Sequence, residues 1–385
     1  MIDGERDFPD HVHHGRAPGV APSATAILHG RMLLQCSPSR AGWVADHIDA
    51  NHGGLVLTGP KGPAKASRMR ADGYAGVLLT DPAVYETENA TAEDPFPIAT
   101  PGELAFEDHL QLALTEQLGH EATVAMTPTG FIQAEDSKAL LAVCRAGAKL
   151  DDQRVLVSIP ADVAWLNDDN VDQFTAALSL IPGAKVLMLG GQMDPLSRFK
   201  AAPRNLCRVM AEVPQIALLR TDLAAFGAFA HGAQFTAFGM SGSQRHIVPP
   251  PQPTESSSGA GKSPAVIYPE LMALFLGQKI ADKHAAGTAP ACPCGAGGYH
   301  RLDSFDTMKS VVAAAAHNAA VLTDWFRQML DQRPGADRRS WWSKTCQDAV
   351  VRYDIVNAAI DQPNGFTPPK QLKLWADLSE DSAST

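Results

Sequence analysis

Residues 155–190, VLVSIPADVAWLNDDNVDQFTAALSLIPGAKVLMLG, decide the fold. VLVSI (155–159) and VLMLG (186–190) are short apolar, β-rich runs. Between them, residues 170–180 carry apolar side chains at helical spacing. A strand, a helix and a second strand of this length make a right-handed crossover between parallel strands. Working outward, the same unit recurs. MLLQC (32–36), GLVLT (54–58), GVLLT (76–80) and TVAMT (123–127) precede it, and IALLR (216–220) and QFTAFG (234–239) follow it. Further helices are predicted at 103–118, 135–148 and 196–211. Eight parallel strands close on themselves, so the expected fold is an α/β structure, a (β/α)8 TIM barrel over residues 30–248. A doubly wound open sheet predicts fewer strands and usually a G-x-G-x-x-G loop after the first. The chain has SPSRAGW (37–43) there.

The flanks are read from composition. Residues 1–29 form an N-terminal extension, acidic and His-rich rather than a basic region leading into an apolar one. PPPQPTESSSGAGKSP (249–264) cannot supply a core and reads as a flexible linker. Helical periodicity is predicted again at 265–284 and 303–331, within a C-terminal part spanning 265–375, and residues 376–385 form a polar tail. No stretch reaches the roughly 20 uninterrupted apolar residues of a membrane span, so a cytoplasmic protein is expected. The net charge of −10 gives no global attraction to phosphate. Nucleic-acid binding would need a local basic patch, and the nearest is Lys61, Lys65, Arg68 and Arg70, which equally suit a solvated helix face.

Active sites of such barrels sit where the strands end. Asp81 directly follows the third strand, placed to act as a base or to accept a ligand's N–H groups, or simply to cap the turn at Pro82. Asp162 ends the fifth strand. Gly190 and Gly191 end the sixth and would let a planar ligand approach the backbone. Arg220 and Asp222, one residue apart at the end of the seventh, face the same side if the strand continues; they form either a site or a structural ion pair. Arg245 and His246 follow the eighth strand, where barrels often hold phosphate.

The six cysteines are too sparse for a disulfide framework, but Cys292 and Cys294 in CPCGAGGYH form a close C-x-C pair. With His300 and His317 they supply two sulfurs and two imidazoles, the donor types of tetrahedral Zn2+; two reduced cysteines in a glycine-rich loop are the plainer alternative.

Taken together, these stretches resemble the tRNA-guanine transglycosylase superfamily, including its 7-deazaguanine DNA-modifying relatives. GVLLTDPAVYE (76–86) is similar to that family's I-L-T-D-S-G-G-F-Q strand end, which puts Asp81 on its base-binding aspartate. VLMLGG (186–191) is similar to the Gly-Gly strand end that contacts the base. HGAQFTAFGMSGSQRH (231–246) is similar in placement to G-V-D-M-F-D-C-V-L-P-T-R, with Arg245 near its Arg. CPCGAGGYH with the helix carrying His317 and Asn318 resembles the C-x-C-x-x-C motif and the later L-x-x-H-N. The resemblance runs over residues 30–331 and implies a barrel with a C-terminal zinc subdomain. It also implies exchange of guanine for a 7-deazaguanine base in DNA or tRNA, by covalent attack of an Asp on the ribose. There are departures. The third zinc Cys falls at Gly297, leaving His300 to replace it, Pro82, Ala83 and Val84 stand for S-G-G, and the nucleophilic Asp falls at Ala237. Asp222 is then the candidate nucleophile. The alternatives are a non-catalytic nucleic-acid-binding or partner subunit, working as a homodimer or in a heteromeric complex, and a barrel enzyme for a small deazapurine or nucleoside.

Overall fold

The computed structural model describes residues 22–98, 106–191, 194–252, 262–292, 294 and 301–378. In chain order, α1 (Ala24–Leu28) precedes β1 (Arg31–Cys36), α2 (Ala41–Val44) and β2 (Leu55–Thr58). Then α3 (Gly62–Ala71) leads to β3 (Leu78–Asp81), α4 (Phe106–Gly119) to β4 (Ala125–Met126) and α5 (Ser137–Gly147) to β5 (Val155–Asp162). After these, α6 (Val171–Leu178) leads to β6 (Lys185–Gly190), α7 (Ala202–Glu212) to β7 (Ile216–Thr221) and α8 (Ala224–Ala230) to β8 (Phe235–Gly239). All eight expected strands form, and they lie in the order β3-β2-β1-β8-β7-β6-β5-β4. Every neighbouring pair is parallel. β3 and β4, at the two ends of that order, meet through a bridge between Leu79 and Val124, so the barrel is nearly closed.

Side-chain alternation sorts the strands into an inside and an outside. Leu33, Val56, Leu79, Met126, Leu156, Met188, Leu219 and Ala237 fill the interior as one cluster. Their neighbours Leu34, Leu57, Leu78, Val157, Leu187, Leu218 and Phe238 pack into the layer under the helices. Burial on both sides is why these strands read as unbroken apolar runs. Leu28 of α1 joins the interior cluster, and Ala24 N–H donates to Gln153 O, so the start of the described chain stoppers the barrel at the N-terminal ends of its strands.

The C-terminal part departs from expectation at residues 265–284. They open as an antiparallel hairpin, β9 (Ala265–Tyr268) and β10 (Ala273–Leu276), and turn helical only in α9 (Gly277–Lys283). Apolar runs this short do not distinguish the two periods, and the aromatic and β-branched content of AVIY and ALFL favours strands. α10 (Val311–Leu330) is the expected long helix. Asn318 on it acts as a strand partner to β9, its Oδ1 accepting Ile267 N–H at 2.7 Å and its Nδ2 donating to Ala265 O at 2.9 Å. Two further helices, α11 (Ala336–Ala359) and α12 (Lys370–Asp377), complete the part. The ring of Trp375 on α12 lies on Gly227 of α8, where no side chain separates the two helices, and meets Trp342 of α11 edge-on. α12 is thereby pinned over the rim of the barrel near β7. Most of the expected linker and of the tail lies outside the described residues, and no described helix is long and apolar enough to cross a membrane.

Candidate functional site

The barrel mouth is filled by its own side chains. Gln35 at the end of β1 donates from Nε2 to Thr58 Oγ1 and to Asp81 Oδ2, both at 2.9 Å. Asp81 also accepts Tyr85 O–H at 2.5 Å on Oδ2 and Ala83 N–H at 2.9 Å on Oδ1. Its carboxyl sits above the usual range, because burial outweighs the help of Arg220, Tyr85 and the Ala83 amide. Arg220 crosses the mouth from the opposite side, its guanidinium over the Tyr85 ring. It donates to Tyr85 Oη, His246 O and Ser243 O at 2.8 to 2.9 Å and to the Glu86 carboxylate. Burial works against the charge of Arg220, but Tyr85, Glu86 and Asp81 together hold it on. Asp81 is therefore a member of a closed network, with both carboxylate oxygens engaged within the protein.

The glycine-ended strand is occupied as well. A Cβ on Gly190 would run into the ring of Phe131, which lies across the strand end. Residues after β8 continue over the same place: Ile247 N–H donates to Leu189 O and Gly191 N–H to Ile247 O, both at 3.0 Å. The backbone surface expected to meet a planar ligand meets Phe131 and Ile247. His246 contributes its carbonyl to Arg220, while its imidazole is buried and held below its ordinary pKa by burial and by Arg220. Asp162 caps the turn after β5, accepting Ala164 N–H at 2.8 Å, with Arg198 3.7 Å away.

Arg220 and Asp222 do not face the same way. β7 carries a bulge, since Leu218 pairs with Thr236 but Thr221 pairs with Phe238, and Arg220 adopts a left-handed φ of 53°. Alternation breaks there, sending Arg220 into the mouth and Asp222 outward. Asp222 accepts Ala224 N–H at 3.0 Å on Oδ1, and burial pushes its carboxyl up to about 6. With Arg245 it lines a cleft of about 160 Å³ between the barrel rim and the C-terminal part, walled also by Phe238, Ile267, Phe275, Trp325 and Gln371. Arg245 donates from Nε to Gly239 O at 2.9 Å and stands over Phe238, and burial lowers its pKa to about 10.

Cys292, Cys294 and His317 do come together, with donor atoms all within 4.8 Å of one another. The two sulfurs touch, their Cα atoms 5.5 Å apart, and Cys292 Sγ is 2.6 Å from His317 Nδ1. His317 Nε2 lies 2.8 Å from Ile267 O, an arrangement that fixes the proton on Nε2 and turns the Nδ1 lone pair toward the sulfurs. This donor set fits three of the four ligands of tetrahedral zinc. A metal needs both cysteines as thiolates, so a zinc-bound and a disulfide state exclude each other. His300 lies outside the described residues. Of the basic residues after β2, Arg70 is spent internally, donating to Tyr74 O, Gly76 O and Thr123 Oγ1.

Gln35, Tyr85, Glu86 and Phe131 in the mouth, Phe275 and Gln371 at the cleft, and Asp194 in the pocket beside it were not evident from sequence. Tyr85 and Glu86 stood within the quoted motif GVLLTDPAVYE, four and five residues past Asp81, the one signal that pointed at them.

No family model and no curated protein matches this chain. Among solved structures it is similar to a fructose-bisphosphate aldolase from Slackia heliotrinireducens, at 15% identity and a TM-score of 0.32, over 56% of this chain and 76% of the aldolase. It is similar also to the carboxyl transferase domain of Rhizobium etli pyruvate carboxylase, at 8% identity and a TM-score of 0.34, over 92% of this chain and 64% of that one. A family 123 glycoside hydrolase from Clostridium perfringens follows at 8% identity and a TM-score of 0.28, over 81% and 72%. The fold is one that TIM-barrel enzymes share, and likeness at this level says nothing of activity.

Proposed function

We propose that this chain keeps a transglycosylase-type barrel without the base exchange and serves as a binding or partner subunit of that fold. The observation that carries the reading is the filled mouth, where Asp81, Gln35, Tyr85, Glu86 and Arg220 satisfy one another and Phe131 lies on Gly190. A base entering there would have to break buried, charge-assisted hydrogen bonds before making any of its own, a cost of several kcal/mol. Ala237, where the resemblance puts the nucleophile, supports it too: it is wholly buried inside the barrel, in register with Leu33. Purified protein incubated with radiolabelled guanine and separate DNA and tRNA pools should leave both pools unlabelled. Incorporation into either pool would overturn the proposal.

One observation favours a second reading, exchange with Asp222 as the attacking carboxylate: Asp222 lines an open cleft. That reading requires a covalent adduct with nucleic acid in the wild type that disappears in Asp222→Asn.

A further inference from the structure

We infer that the cleft between the barrel rim and the C-terminal part binds a flat, uncharged heterocycle by a lactam edge, its ring N–H donating to Asp222 and its ring carbonyl accepting from Arg245. Among the described residues, Asp222 Oδ2 accepts no hydrogen bond and the two terminal nitrogens of Arg245 donate none. Both residues line the cavity, and each has hydrogen-bonding capacity left over for a ligand there. One group can only accept and the other only donate, so the complement is an N–H beside a C=O. Asp194, which Gln371 engages, lines the adjoining pocket with Asp222 and Arg245 and brings a second carboxylate near them. Two carboxylates against one guanidinium disfavour a phosphate or other anion. Phe238, Phe275 and Trp325 are among the walls and give an apolar ring aromatic neighbours. The volume of about 160 Å³ is that of a cavity able to hold a single aromatic ring, and the side open to solvent leaves room for a second. This inference does not depend on whether the chain exchanges bases, because it concerns a space outside the mouth.

The test is isothermal titration of the full chain with hypoxanthine and with uracil, which both carry a lactam edge. Adenine, a flat ring without a carbonyl, and L-norleucine, a zwitterion that could also join Asp222 to Arg245, serve as controls. At least one lactam should bind, and neither control should bind within tenfold of it. Asp222→Asn should weaken that binding tenfold or more. So should Arg245→Lys, which keeps the charge and loses the paired N–H groups. Thermal melts establish that each variant folds, and if one does not, the other decides. The inference is overturned if neither lactam binds at about 1 mM ligand, if a control binds as tightly, or if the folded variants bind as the wild type does. Loss of labelled-guanine incorporation is not read in this titration, so the two proposals fail separately.

Discussion

Replacing Asp222 by Asn should stabilise the protein near neutral pH and change its stability much less in acid. Asp222 is 8% exposed, and burial lifts its carboxyl from 3.8 to about 6. The Ala224 amide and Arg245 pull it back, while Asp194 pushes with the burial. The folded chain therefore holds this proton more tightly than the unfolded chain does. Below the unfolded pKa the carboxyl is protonated in both states and costs nothing. As pH rises through the folded value, the ionised group stays in a place that disfavours it, and stability is lost. Holding the carboxyl at about 6 instead of 3.8 costs about 3 kcal/mol near neutral pH. Asn keeps the shape and an oxygen for Ala224 N–H but has no charge to bury. Urea unfolding of both proteins at about pH 3.5 and about pH 7.5 measures the effect, and the variant's advantage should grow by about 3 kcal/mol between the two. Asp81 and Asp94, also raised by burial, titrate in both proteins and drop out of the difference. An advantage that is the same at both pH values would show that Asp222 is not held in a desolvated site, and the account of the cleft would lose its physical basis.

Two other outcomes follow from the mouth and from the cysteines. Tyr85→Phe removes a hydroxyl that donates to Asp81 and accepts from Arg220, leaving two buried charged groups each short of a partner; the expected cost in chemical denaturation is about 1.5–3 kcal/mol, and a loss below about 0.5 kcal/mol would show that the network is not closed as described. Protein purified without chelators should carry about one zinc per chain by elemental analysis, and Cys292→Ser should lower both zinc content and melting temperature, because structural metal binding adds to folding free energy; metal-free wild type, or a variant that melts as the wild type does, would exclude a structural zinc.

The barrel was legible because its strands are buried twice over. IALLR and VLMLG have no polar face to mark a period, yet their length and spacing leave few other folds, and the structure places β6 and β7 within a residue of the expected runs. The hairpin at 265–276 was not, since four-residue strands carry too few alternations to outweigh the helical spacing of the residues after them. α11 escaped because its apolar side chains go round the helix: Trp342, Cys346 and Tyr353 are buried while Val351 and Ile355 are exposed. In the site, residue types were readable and partners were not. Cys292, Cys294 and His317 meet as their chemistry suggested. Arg220 and Asp222 were paired on the premise of an uninterrupted strand, and nothing in RTD announces a left-handed residue.

That left-handed residue makes the last turn of β7 a partition. On one side Arg220 locks the mouth, and on the other Asp222 opens onto the cleft, with only Thr221 between them. The mouth and the cleft thus receive charged groups from positions one residue apart where β7 ends, and the left-handed Arg220 sets which group goes where. A deletion of one residue here would exchange the two, delivering a carboxylate to the mouth and a guanidinium to the cleft. A lineage could in this way move its chemistry sideways across the rim without rebuilding the barrel beneath it.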